Sequence, residues 1–300
     1  MDDKIFNEKK LSWMKDPDIC PYVFVRPENR IENPGDFHSQ VKWFGKHQVI
    51  YKNPLNMDEV KFADRILRLE SKAFSGSNMA MPRWVFYDCA IVPGFVAGFA
   101  AKKSALSPKV LEALEVDLKE DEVWVPLSLF IIIPTMSQKG EWVAHNLCSV
   151  NSLLKPADQF HGIGFISKAF GLWYANVRTC CGMTQWTSPS VKLHANYGEF
   201  EVLTSYTPVH TYARTLTYRL TVNPQHWDKF LVKNKSHQSK QNLVYAGFDV
   251  DPEDEASLIR FQRRLEKGEG PYYLNSQETA EKDLKKPHRI YLHGDPRGLK

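Results

Sequence analysis

Residues 159–164 read Gln-Phe-His-Gly-Ile-Gly, and they stand where a β-rich run gives way to an amphipathic one. The run before them, Glu141 to Val150, alternates as a strand does, and the run after them, Phe165 to Arg178, places Ile166, Phe170, Trp173 and Val177 on one helical stripe with Lys168 and Arg178 elsewhere. The rings of Phe165, Phe170, Trp173 and Tyr174 read as helix-to-sheet packing. Glycines at a strand-to-helix turn let backbone N–H groups approach an oxygen-rich anion with no Cβ in the way, and the helix N-terminus adds partial positive charge. A pyrophosphate suits such a turn.

Two common pyrophosphate motifs do not fit. A dinucleotide fingerprint needs a third glycine where this chain has Ser167, and a Walker A loop needs Gly-Lys-Ser/Thr where the chain has Ser167-Lys168. Gln159, Gly162 and Gly164 do satisfy Gln/Arg-x-x-Gly-x-Gly/Ala, and on that pattern the chain resembles the GNAT superfamily of N-acetyltransferases over roughly residues 45–222. The resemblance implies an α+β fold: a mixed, mostly antiparallel sheet flanked by helices, here with N- and C-terminal extensions. It also implies acetyl-CoA or another acyl-CoA as co-substrate, held by Val150, Gln159, Phe160, His161, Gly162, Ile163 and Gly164, with direct transfer of the acyl group to an amine-bearing acceptor.

The same resemblance suggests who moves the protons. Lys192 to Phe200 looks like the family segment whose tyrosine protonates the departing thiolate; His194 stands in that place, and Tyr197 is the fallback acid. A base is expected on the strand before the loop, which offers Glu141 and His145. Strict alternation puts Glu141, Val143, His145, Leu147 and Ser149 on one face, and His145 is the first choice. The plain alternatives are a strand histidine satisfied by a backbone carbonyl, and, for Cys148, a small core residue with no histidine placed to activate it. Trp186, ending a strand, is a candidate wall of the acceptor pocket.

Composition sets the outer limits. With 300 residues and 43% hydrophobic content, a sizeable core is expected and disorder as the main state is excluded. No run of eighteen apolar residues occurs and MDDKIFNEKK lacks the pattern of a secretory leader, so a soluble, cytoplasmic protein with no membrane partner is the expectation. Five cysteines, two of them adjacent, suit neither a disulfide framework nor a zinc ribbon, and no metal is expected. The net charge of +4 does not demand a polyanionic partner. Local runs are more basic: His226 to Lys240 has four lysines against one acidic residue, and Glu281 to Lys300 has six basic against three acidic. These runs, with the aromatic N-terminus, motivate one alternative, a DNA-base-modifying protein like the phage Mom type with a nucleobase as acceptor. A non-catalytic coenzyme A-binding module is another.

The remaining segments read as follows. Residues 1–44 form an irregular arm, 45–222 the acyltransferase-like domain and 223–300 an extension. Within the domain, His47 to Tyr51, Val85 to Val92, Phe95 to Ala101, Glu122 to Ile133, Met183 to Trp186, Glu199 to Thr204 and Thr211 to Val222 are expected strands. Val60, Ala63, Ile66, Leu67 and Phe74 mark a helix from Asp58 to Phe74, Ser107-Pro108 starts an inserted helix, and Ser188-Pro189 starts another. The extension is expected to hold one helix, Ala256 to Leu265.

Overall fold

The computed structural model describes residues 12–31, 48–77, 79–135, 140–222 and 242–294. These fall into two compact units, one within 2–177 and the other built from 178–226 and 235–300. The parting at 177/178 lies inside the stretch 45–222 that the sequence reading treats as one domain. Both units are α+β, with mostly antiparallel strands flanked by helices.

In the first unit the strands lie in the order β2 (Ile50–Lys52), β1 (Ile19–Phe24), β3 (Phe95–Lys102), β5 (Ser128–Pro134), β6 (Glu141–Ser149), with β4 (Trp124–Pro126) also on β3. Among the described residues of this unit, the β1–β2 pair is parallel and the other pairs are antiparallel. The helix α1 (Val60–Phe74) and the helix α3 (Ile163–Tyr174) take opposite faces of this sheet, with the short α2 (Pro108–Ala113) between them in the chain. Tyr22 meets Phe62 of α1 edge-on at 5.1 Å, whereas Ser128 and Phe130 meet Ser167 and Gly171 of α3. Gly171 is glycine for a packing reason, since a Cβ there would stand 2.6 Å from the Phe130 ring.

Several expectations need correction here. Residues 19–24, read as part of an irregular arm, are a fully buried strand; Pro21 falls outside the residues that β2 pairs, which removes the usual objection to proline in a strand. The expected strand Val85 to Val92 is instead a helical turn, Arg83–Val85, running into a π-helix, Phe86–Ile91. Phe86 and Ile91 are both buried, five residues apart, which suits the wider π turn; a short apolar run alone does not separate strand from helix. In α1 the buried stripe is Phe62, Ala63, Ile66, Leu69 and Glu70, rotated from the one the sequence suggests. Lys168, expected on the open face of α3, is fully buried with its ammonium 5.8 Å over the Phe130 ring. Asn176, at φ 47°, ends α3 earlier than Arg178.

The second unit has the order β10 (Leu243–Val250), β12 (His288–His293), β11 (Tyr272–Leu274), β8 (Gly198–Thr204), β9 (Thr215–Val222), β7 (Thr179–Gln185), antiparallel throughout. Its helices are α4 (Pro189–Ala195), α5 (Glu255–Glu266) and α6 (Ser276–Glu281). The extension thus contributes three strands and a second helix beyond what its sequence suggests, and β11 pairs directly with β8. Asp254 caps α5 by accepting from the amides of Ala256 and Ser257. Phe200, Tyr218 and Leu220 form the buried centre.

Candidate functional site

The segment from Ser149 to α3 is a loop whose own polar groups are tied together. Asn151 clasps Phe160 from both ends of its amide, accepting the Phe160 N–H at 2.9 Å and donating to its carbonyl at 2.8 Å. Gln159 donates to the carbonyls of Asn151 and Leu154 at 2.9 and 3.1 Å, so its side chain staples the loop. From outside the loop, the Trp13 indole donates to the His161 carbonyl at 2.9 Å, and the Trp13 ring packs edge-on against Phe99 and Phe160. Val150 is buried and its N–H donates to the Leu127 carbonyl at 2.8 Å, which anchors the loop's start to the junction between β4 and β5.

The glycines then play two different parts. Gly162 is the N-cap of α3 at φ 71°, in the left-handed region where a side chain costs about 1 kcal/mol or more. Its carbonyl accepts from Ile166, and Ile163 donates to Phe160. Gly164 has no such backbone need and no packing need: a Cβ there would meet only Ser149 Oγ, at 3.9 Å. Contact from the protein therefore does not explain this glycine, whereas Gly171 in the same helix is explained by Phe130. The first turn of α3 is pinned from behind, since Ser167 Oγ donates to the Ile163 carbonyl and lies 2.6 Å from Ser128 Oγ, whose oxygen in turn accepts from Phe99. A helix's first N–H groups lack intrahelical acceptors and carry the positive end of its dipole. With the Ile163 N–H already donated to Phe160, it is the Gly164 part of this turn that the rigid frame presents to an approaching anion.

The strand β6 carries the candidate bases and breaks the alternation assumed for it. Leu147 pairs with Phe130 but Ala144 with Ile132, so β6 carries one extra residue, with His145 and Asn146 standing together opposite Ile131. Such a slip changes faces: Leu147 and Ser149 point to the α3 side, while Glu141 and Val143 point to the α1 side. Glu141 is 6% exposed and its carboxylate accepts from Thr135 Oγ1 at 3.2 Å. His145, at the bulge, is exposed, and partial burial of its ring holds the imidazole below the ordinary histidine range, with the neighbouring Asn146 side chain opposing the shift.

The sequence reading missed Glu70. It is 1% exposed and bonded to Met81 and Asn146, and burial raises its carboxyl above the usual range. The signal was present in the spacing Phe62, Ile66, Glu70, which puts a carboxylate on the buried stripe at helical steps of four. Cys148, half-buried on the α1 side of β6, has its thiol pushed well above the normal value by burial and by the Glu70 charge, which disfavours the thiolate.

The other two sequence-derived candidates belong to the second unit and lie in its interior. His194 is 6% exposed with its ring 4.8 Å from Tyr218, and Tyr197 is 3% exposed. Trp186 is also buried, its indole donating to the Ser205 carbonyl, and it lines a cavity of about 310 Å3 with Gln185, Thr187, Tyr212, Arg214 and Glu253. Among the described residues no three acidic, histidine or cysteine side chains converge as a metal site, and no helix is long and apolar enough to cross a membrane. The basic run 229–240 lies outside the described residues, as do residues 295–300 of the second basic run.

No protein-family model matches the chain, and no curated protein matches it. Among solved structures it is similar to a protein described as a GNAT-family acetyltransferase from Desulfovibrio desulfuricans, at 13% identity and a TM-score of 0.34 over 54% of this chain and 94% of that one. A protein described as an acyl-CoA N-acyltransferase from Klebsiella pneumoniae matches at 11% identity and 0.31, over 57% and 93%. A chain of the NatC complex bound to Gag peptide and CoA matches at 11% and 0.36, over 57% and 96%. At such scores the functional reading rests on this chain's own residues.

Proposed function

We propose that this chain binds an acyl-CoA through the loop from Asn151 to Gly164 and transfers the acyl group to an amine. The carrying observation is Gly164, a glycine at the first turn of a twelve-residue helix that neither backbone conformation nor packing requires. A ligand that must approach the backbone closely supplies the missing reason. Phosphate oxygens fit the donors that a helix start provides, and the motif Gln159-x-x-Gly162-x-Gly164 favours the coenzyme A pyrophosphate over a dinucleotide or nucleoside triphosphate.

In the transfer step the amine lone pair attacks the thioester carbonyl, the carbon–sulfur bond breaks, and the coenzyme leaves as its thiolate. The attacking nitrogen must lose a proton, and His145 is better suited than Glu141 to take it. Its imidazole is exposed and held below the ordinary range, hence neutral at pH 7, whereas Glu141 is buried and already accepts from Thr135. Native mass spectrometry of the purified protein with acetyl-CoA tests the donor before any acceptor is chosen. Uptake of one coenzyme per chain, followed by thiol release with a mixture of amines, is the expected result; no uptake at millimolar acetyl-CoA would remove the reading.

A further inference from the structure

The cavity beside Trp186 lies wholly within the second unit, where β7 ends, β9 begins and the chain turns into α5. Its walls are tied to one another. The loop 205–214 is held to α5 by Ser205, whose Oγ donates to the Leu258 carbonyl and whose N–H donates to Gln262 Oε1, both at 2.8 Å. Across the loop the Thr207 N–H donates to the Ala213 carbonyl at 2.8 Å, and Thr215 Oγ1 donates to the Tyr212 carbonyl at 2.6 Å. The Trp186 indole N–H already donates to the Ser205 carbonyl, so Trp186 joins Ala213 and Pro252 as apolar lining. At about 310 Å3, a cavity on so fixed a frame stands at the small end of ligand pockets.

Four polar side chains on this cavity, those of Gln185, Thr187, Arg214 and Glu253, have no hydrogen-bond partner among the described residues. Arg214 and Glu253 stand 3.9 Å apart, near enough to attract but beyond a hydrogen bond. The other carboxylate, Glu255, already accepts from the Tyr206 hydroxyl at 2.9 Å. This spacing selects the charge of a ligand. A lone ammonium drawn to Glu253 would come up against the Arg214 guanidinium, and a lone carboxylate drawn to Arg214 would come up against Glu253. A molecule with both signs on neighbouring groups satisfies the two residues together, its carboxylate on the guanidinium fork and its ammonium on Glu253. Gln185 and Thr187 add donors and acceptors, and the apolar lining is left for an uncharged side chain. Free α-amino acids have that pattern. Peptides do not, because their two charged ends lie apart.

We infer that this cavity binds a free α-amino acid with an apolar side chain, Arg214 holding the carboxylate and Glu253 the ammonium. The site does not depend on the acyl-transfer reading, because the loop from Asn151 to Gly164 belongs to the first unit.

Isothermal titration calorimetry of L-leucine, L-methionine and L-phenylalanine against the full chain tests the site, with the decarboxylated amine and the deaminated acid of each as controls. At least one of the three amino acids should bind with a Kd below about 1 mM, and both of its analogues at least about tenfold more weakly. Arg214→Gln and Glu253→Gln should each weaken the amino acid by at least about tenfold. Both side chains are about half exposed, so the substitutions should leave the melting temperature unchanged. Should either variant not fold, the analogues against wild type decide alone. Three results overturn the inference. No binding of any of the three at about 10 mM leaves Arg214 and Glu253 as a solvated surface pair. An amine bound as tightly as its parent amino acid makes the cavity a cation site, and full affinity in either folded variant puts the ligand elsewhere. Amino-acid binding by a chain that takes up no coenzyme A keeps this site and removes the acyl-transfer reading, and coenzyme uptake without amino-acid binding does the reverse.

Discussion

His145 of the first unit and the buried pair His194 and His288 of the second stand in opposite settings. In the first, His145 is exposed at a strand bulge, within reach of solvent and next in sequence to Asn146, which donates to the buried Glu70 carboxylate. In the second, His194 and His288 are 6% and 2% exposed, one against Tyr218 and the other 5.4 Å from Trp186. Residue type is the same, yet one setting leaves a ring nitrogen open to chemistry and the other spends the ring on packing. Titratable side chains point to function only where the fold keeps them both oriented and reachable.

The contrast is broken most forcefully at Tyr197. If this side chain is core, Tyr197→Ala should cost about 3 kcal/mol or more, measured as a lowered urea midpoint, because truncating a buried aromatic leaves a cavity. A midpoint unchanged from wild type would return Tyr197 to the list of available acids. Next in size is the acid response of His288. Burial lowers its pKa to about 4 although a hydrogen bond to Leu284 opposes this, so the folded protein keeps it neutral while the unfolded chain binds a proton near 6.5. The sign follows: stability linked to this group is complete above pH 6.5, falls as pH drops from 6.5 toward 4, and levels below, by about 3 kcal/mol in all. Chemical denaturation across that window should show the slope, and His288→Phe should flatten it.

Smaller effects probe the loop. Gly162→Ala forces a left-handed backbone on a side chain and should cost about 1 kcal/mol of stability. Gly164→Ala meets only a contact at ordinary distance and should change the denaturation midpoint by no more than about 0.5 kcal/mol. A large loss at Gly164 would mean that the position is there for packing after all.

How much of this could be read from the sequence depends on where the deciding contacts lie. Local patterns were legible: the α1 periodicity, Ser188-Pro189 opening α4, and the turn at Gly162 each rest on residues near in sequence. The β6 bulge was not, because a one-residue slip is defined only against a partner strand, and it turned Leu147 and Ser149 away from Glu141. Strand β1 was lost because its neighbours β2 and β3 are far along the chain and Pro21 argues against a strand locally. Lys168 and Glu70 show the same limit from the side of charge. Lys168 lies off the apolar stripe of its helix and Glu70 lies on one, at steps of four from Phe62 and Ile66, and the partners beside them, Phe130 in one case and Asn146 with Met81 in the other, are not named by the sequence.

Gly162 and Gly164 are the proposed coenzyme A cradle, and isothermal titration calorimetry of coenzyme A against wild type and the Gly162→Ala/Gly164→Ala variant tests that role most directly. Binding to wild type, weakened in the folded variant by at least about tenfold or 1.4 kcal/mol, is the predicted result. Equal affinity in both proteins would contradict it.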